Sequence, residues 1–162
     1  MTQKFVQLVQ TTEPTLIKSL YQQGFLDIYE RYHDEKTDPY LTTIADITTR
    51  LSLKNNYFLL VQANQTIVGL VYIEKRWHTV EIGNLLILPE FQNQGYGQAT
   101  LTAIEAFFPT IQNWKLNTIL QEQKLIYFYE KMGYKRVRYL KIPIKEKMDI
   151  VFYKKKRKAI KV

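Results

Sequence analysis

The chain has 162 residues, no cysteine and a formal net charge of +8. That length suits one domain with a sizeable core, and the lack of cysteine excludes disulfides, thiolate nucleophiles and cysteine-ligated metals. No run approaches the roughly 18 consecutive apolar residues of a membrane span, and Met1-Thr2-Gln3-Lys4-Phe5 lacks a signal-peptide core, so a cytoplasmic location is expected.

In chain order, Lys4 to Gln10 alternates in polarity and predicts a first strand. Thr12-Glu13-Pro14 reads as a helix start, with Thr12 as the cap and proline in the first turn. Leu16, Ile17 and Leu20 form one amphipathic piece, Gly24 is expected to break it, and Phe25, Ile28, Tyr29 and Tyr32 form a second. His33 to Tyr40 is a loop by composition and the main acidic patch of a basic protein. It reads either as a solvated turn or as an entrance that attracts a cation. Thr43 then predicts an N-cap, with Asp46 three residues on in a capping-box arrangement. Ile44, Ile47 and Leu51 give that helix its apolar stripe.

Asn55 to Ala63, Thr66 to Arg76 and the strand from Val80 predict an antiparallel meander, joined by Asn64-Gln65 and Trp77-His78. Gly69 inside the second of these marks a bulge or a close backbone approach. Leu85 to Leu88 is apolar, and Pro89 ends the strand. Gln92-Asn93-Gln94-Gly95-Tyr96-Gly97 follows as a turn. Ala103, Ile104, Phe107 and Phe108 then recur at helical spacing up to Pro109. Lys115 to Leu120 predicts a fifth strand. Leu125, Phe128, Tyr129 and Met132 predict a helix ending at Gly133. Tyr134 to Ile142 and Met148 to Tyr153 close the chain as strands, leaving a basic tail over 154–162 after a domain over 1–153.

Strand, glycine turn and helix in that order make an anion site. The first four amides of a helix have no internal partner, and the macrodipole favours negative charge there. Gly95 and Gly97 would allow positive φ and close approach of a phosphate to the backbone. Position 100 is Thr rather than a third glycine, and no Gly-Lys-Ser/Thr follows. The turn therefore matches neither the dinucleotide fingerprint nor a P-loop.

Gln92-x-x-Gly95-x-Gly97 after Ile87-x-Pro89-Glu90 resembles the pyrophosphate-binding motif of the GNAT superfamily of N-acetyltransferases. Phe128-Tyr129-Glu130-Lys131-Met132-Gly133-Tyr134 is similar to that family's second signature, and the order of elements agrees over nearly the whole chain. The resemblance implies an α/β fold with a mixed, mostly antiparallel sheet of about seven strands, flanked by about four helices and splayed at strands four and five.

It further implies acetyl-CoA as co-substrate and no metal. The pyrophosphate would lie on the amides of Gln94, Gly95, Tyr96, Gly97, Gln98, Ala99 and Thr100, with Gln92 in the same motif. The pantetheine arm would pair with backbone near Leu86, Ile87 and Leu88. Many relatives carry asparagine near the start of the last helix, where Glu122 stands here. Tyr129 fits the family's general acid, because a phenol with a pKa near ~10 stays protonated at neutral pH and can donate to the departing thiolate. Glu81 is the candidate base that deprotonates the amine, directly or through water.

The acceptor is expected to be a primary amine of a small molecule or peptide, cationic if the acidic loop steers it. Two other readings are a CoA-binding sensor domain of the same fold and, through the basic tail, a nucleic-acid-binding module. Monomer and homodimer both remain open.

Overall fold

The structure, a computed structural model, describes residues 3–158. Its elements run β1 (Gln7–Gln10), α1 (Pro14–Tyr32), α2 (Ile44–Ser52), β2 (Asn56–Ala63), β3 (Thr66–Arg76), β4 (Thr79–Ile87), α3 (Tyr96–Phe107), β5 (Asn113–Ile119), α4 (Gln123–Lys131), β6 (Lys135–Lys145) and β7 (Met148–Lys156). The seven strands form one sheet in the order β1-β2-β3-β4-β5-β7-β6. All neighbours are antiparallel except β4 and β5, which run parallel. This is the mixed, mostly antiparallel sheet with four helices that the resemblance implies.

Helices cover both faces, so most strands bury both sides. On one face Leu101 and Ile104 of α3 and Tyr129 of α4 pack with Val71, Ile82, Trp114 and Val151. On the other, Ile17, Leu20 and Tyr21 of α1 and Ile47 of α2 pack with Phe58, Leu70, Tyr72 and Leu86.

Local chemistry accounts for most boundaries. Thr43 caps α2 with a capping box to Asp46. Asn64 and Gln65 both take positive φ, as a tight hairpin turn requires. Gly69 meets both expectations. The β2–β3 register shifts between Val61 and Gln62, and a Cβ at position 69 would lie 2.3 Å from the Leu86 carbonyl oxygen.

Three expectations are corrected. Gly24 does not break the first helix, which runs unbroken from Pro14 to Tyr32. A Cβ on Gly24 would lie 2.7 Å from Leu86 Cδ1, so the glycine serves the close approach of α1 to β4. Thr12 is not the cap of α1; Glu13 holds that position without a side-chain cap bond. The tail does not start at 154, because β7 continues through Lys156.

Beyond that strand, the Arg157 guanidinium donates to the carbonyls of Glu105, Phe108 and Ile111, satisfying the C-terminal end of α3. Lys155 pairs with Glu105 at 2.7 Å and donates to the Met132 carbonyl. Part of the basic run is therefore structural. The remainder of the expected tail, 159–162, lies outside the described residues.

Candidate active site

The parallel pair β4–β5 is short. Thr79 to Ile82 pair with Asn113 to Leu116, and no pairing continues beyond Ile82 and Leu116. Alternate backbone groups of β4 then face a gap instead of a ladder partner. The β3–β4 register also shifts between Ile82 and Asn84, with Gly83 as the extra residue, which turns β4 away from its neighbour. A Cβ on Gly83 would lie 2.9 Å from the Tyr72 ring, so a larger residue could not make this bulge without moving that ring.

The gap opens into a cavity of about 410 Å³. Gly83, Asn84 and Leu85 line it from β4, Thr118 from β5 and Tyr129 from α4; Asp38 lines it from the loop after α1. Asn84 is fixed by Tyr21, whose hydroxyl donates to its Oδ1 at 3.0 Å.

Tyr129 is 7% exposed and lines the cavity, and no side chain among the described residues bonds its hydroxyl. Burial pushes its pKa up to about 12, because a phenolate would lose its hydration. It is therefore an uncommitted proton donor at the wall of the cavity.

Beyond the sequence-distant end of β4 lies the glycine turn. Gly95 is the N-cap of α3 with φ +89°, a left-handed conformation that favours glycine. No side chain caps the helix, and no acidic residue occupies its first turn. The amides of Gln94, Gly95, Tyr96, Gly97 and Gln98 donate to no other group among the described residues. Five free amides at a helix N-terminus fit the anionic diphosphate of CoA.

Lys4 lies before β1, which starts at Gln7 and not at Lys4 as the polarity pattern predicts, and stands beside this turn. Its Nζ lies 5.2 Å from the centre of the Tyr96 ring, adding positive charge there. Only the fold reveals this, since Lys4 and Tyr96 are far apart in sequence.

The structure narrows the expected cofactor residues. The Ala99 amide bonds the Gly95 carbonyl at 3.2 Å, and Thr100 is fully buried with its hydroxyl donating to the Tyr96 carbonyl; both belong to the helix itself. Gln92 braces the turn, donating from Nε2 to the Ile87 carbonyl at 2.9 Å, and Gln94 does the same to Glu90. The Leu88 amide bonds Val68 of β3, and the Leu86 side chain lies in the core. Gly97 does not take positive φ; its missing side chain admits the Phe128 ring.

Glu122 stands at the N-cap of α4, with its carboxylate held by Arg31 and by the Tyr32 hydroxyl at 2.7 Å. It ties α1 to α4 instead of facing the gap. Glu81 is exposed and lies in the paired part of β4, opposite Lys115 and Glu74, and is not among the cavity-lining residues. The two expected catalytic side chains are thus not brought together.

The described fold agrees with comparison to known proteins. Residues 19–134 match the model of the Acetyltransferase (GNAT) family. Among solved structures, the chain is similar to the PaiA N-acetyltransferase of Thermoplasma acidophilum in complex with coenzyme A. The identity is 15%, with 97% of this chain and 100% of that one covered and a TM-score of 0.73. It is similar as well to the spermidine N-acetyltransferase of Vibrio cholerae in complex with CoA and spermine, at 14% identity, 92% and 94% coverage and TM-score 0.73. A third is an acetyltransferase of Thermus thermophilus, at 16% identity, 97% and 100% coverage and TM-score 0.70. No curated protein matches the chain. The chain belongs to the GNAT acetyltransferase family.

Proposed function

We propose that the protein transfers the acetyl group of acetyl-CoA to a primary amine of a small molecule or peptide. The observation that carries this reading is the cavity itself, which joins the open edge of β4 to the Tyr129 side chain, whose hydroxyl no side chain among the described residues engages. When bound, acetyl-CoA would supply an activated thioester carbonyl.

The residues of the chain supply the rest. The amides of Gln94 to Gln98 bind the diphosphate, with Lys4 adding positive charge at that end. The free backbone edge of β4 beyond Ile82 orients the pantetheine arm. Tyr129 keeps its proton at neutral pH and hands it to the leaving sulfur from its hydroxyl oxygen.

A cationic amine suits this site, because positive charge at the phosphate end is matched by carboxylates at the other. The polyamine named for the Vibrio cholerae structure supports an amine acceptor without identifying this one. Among the described residues no helix is long and apolar enough to cross a membrane.

An acetyl-CoA assay that follows free thiol against a panel of amines tests the reading. Amine-dependent thiol release that falls in Tyr129→Phe supports it. CoA binding without release for any amine would leave a sensor domain of this fold.

A further inference from the structure

The loop after α1 carries three acidic residues, but they are not equivalent. Asp34 is saturated: Oδ1 accepts from the amides of Lys36 and Thr37 at 3.0 and 3.2 Å, and Oδ2 accepts from the Thr37 hydroxyl. Glu35 is exposed, and it accepts from the Tyr29 hydroxyl at 2.7 Å. Asp38 differs from both. Its Oδ1 accepts from the Tyr40 amide at 2.9 Å, but Oδ2 is buried without a partner. It is the one buried side-chain oxygen or nitrogen left unsatisfied among the described residues.

Such an atom calls for a donor that the folded chain does not supply. Asp38 is 5% exposed and lines the cavity that also holds Tyr129. No ion pair reaches it among the described residues.

The segment is held rigidly, so the carboxylate is placed before a ligand arrives. Pro39 follows it and starts a short 3-10 turn. Lys18 donates from Nζ to the carbonyls of Tyr40 and Thr42 at 3.3 and 2.6 Å, fixing the far end of that turn. The Tyr40 ring stacks on Tyr29 with centroids 4.8 Å apart. The rest of the cavity is mostly apolar, with Phe25 and Ile28 from α1, Leu125 from α4, Ile142 and Ile144 from β6 and Ile150 from β7; its other carboxylate is the saturated Asp34.

We infer that Asp38 binds the ammonium group of the acceptor and that the acceptor is a monoamine with an apolar body. This rests on the acetyl-transfer reading given above. One uncommitted carboxylate matches one ammonium. A second ammonium on the same molecule would meet the apolar walls of Phe25, Ile28 and Ile150 and, beyond Asp38, only Asp34, whose oxygens are already taken by Lys36 and Thr37, which is unfavourable. An apolar body instead gains from those walls.

Because a monoamine has a single nitrogen, the anchored nitrogen is the one that reacts. Its N–H bond breaks as the proton passes to Asp38 Oδ2 and an O–H bond forms. The neutral amine then attacks the thioester carbonyl, the N–C bond forms and the C–S bond breaks. The sulfur takes the proton of Tyr129. The attacking nitrogen has by then lost one proton to Asp38, and its second returns through solvent to the Tyr129 phenolate.

The test uses full-length protein saturated with CoA, titrated calorimetrically with 2-phenylethylamine, 2-phenylethanol and spermidine, alongside the thiol-release assay. The expected result is that 2-phenylethylamine binds at least about 10-fold tighter than either other compound, matching about 1.4 kcal/mol by the binding relation. Asp38→Asn should lose that preference while CoA still raises its Tm as in the wild type. Thiol release with 2-phenylethylamine should fall about 10²-fold or more in the variant. Spermidine binding better than the monoamine in the wild type overturns the inference without reference to any variant. So does an Asp38→Asn affinity within twofold of wild type. Asp38-dependent binding with no thiol release would uphold the recognition and overturn the transfer reading instead.

Discussion

A Cβ placed on Gly97 would lie 3.1 Å from Cζ of Phe128. This contact joins the two sequence motifs physically. The glycine turn opens α3, Phe128 is the neighbour of Tyr129 on α4, and the Phe128 and Tyr129 rings lie 5.1 Å apart. Gly97 therefore sets how closely the phosphate-binding helix approaches the helix that carries the proton donor. Gly97→Val must displace Phe128, and overpacking of this kind costs about 1–3 kcal/mol. The expected outcome is a lower Tm together with a reduced rise in Tm on adding CoA. Gly95→Ala acts differently, through a left-handed φ of +89° that costs about 1–2 kcal/mol with an alanine side chain. A folded Gly97→Val protein stabilised by CoA as strongly as the wild type would break the link between the motifs.

Tyr129→Phe removes one hydroxyl and keeps the ring. As no side chain among the described residues bonds that hydroxyl, the fold should lose little stability. The value of kcat should fall about 10²-fold or more, with CoA affinity nearly unchanged. Burial holds the Tyr129 pKa near about 12, so the donor form persists through the whole neutral and mildly alkaline range. In the wild type, kcat should then show no loss from tyrosine ionisation up to about pH 10, a unit or more below that value. Single-turnover kinetics isolate the chemical step. An unchanged chemical rate in the phenylalanine variant would make Tyr129 a packing residue.

Gly24→Ala sets two effects against each other. Alanine in a helix interior is favoured over glycine by about 1 kcal/mol. The added Cβ would lie 2.7 Å from Leu86 Cδ1 and 2.9 Å from its Cβ, and Leu86 is only 3% exposed. Because the Cβ of Leu86 cannot swing away as a side-chain end can, packing should win and the variant should melt below the wild type. Chemical denaturation measures the sign directly, and a more stable Gly24→Ala protein would show that α1 can lift off β4 freely.

The strand-turn-helix from Val80 to Phe108 was legible because its signals are local: an apolar run, a proline, two glycines and a helical period. Other features depend on contacts distant in sequence. Gly24 looks like a breaker unless one knows that Leu86 lies against it. Spacing from the glycine turn suggested Glu81 as a base, but the sheet splits only after Ile82, so Glu81 stays in the paired part. The loop acids looked like one patch, although Asp34 is bonded within its own turn and Asp38 is not satisfied. Charge is visible in a sequence; its hydrogen-bond partners are not. The lysines of the last strand looked like a tail for the same reason, since Glu105 and the end of α3 that hold Lys155 and Arg157 lie some fifty residues earlier.

Asp34 and Asp38 should respond oppositely to the same substitution. At Asp34, burial opposes ionisation, but the bonds from Thr37 and the Lys36 and Thr37 amides outweigh it and hold the pKa below the ordinary carboxylate value. Its contribution to stability is present above the unfolded pKa of about 3.9 and is lost as pH falls through the depressed folded value. At Asp38, burial dominates, the Tyr40 amide compensates only in part, and the pKa is raised. That group favours the fold below about 3.9, and the contribution is lost as pH rises through the raised folded value, so its charge opposes folding at neutral pH. Asp34→Asn should therefore lower Tm at pH 7, whereas Asp38→Asn should raise it. For a chain of this size each kcal/mol moves Tm by roughly 2–4 °C. The gain from Asp38→Asn should shrink toward zero at about pH 3, below the unfolded carboxyl pKa of about 3.9, where the group is protonated in both states. Calorimetric melts of both variants at the two pH values check the pair. A lower Tm for Asp38→Asn at pH 7 would mean that the carboxylate already has a favourable partner, and its free oxygen would no longer mark a place for an incoming cation.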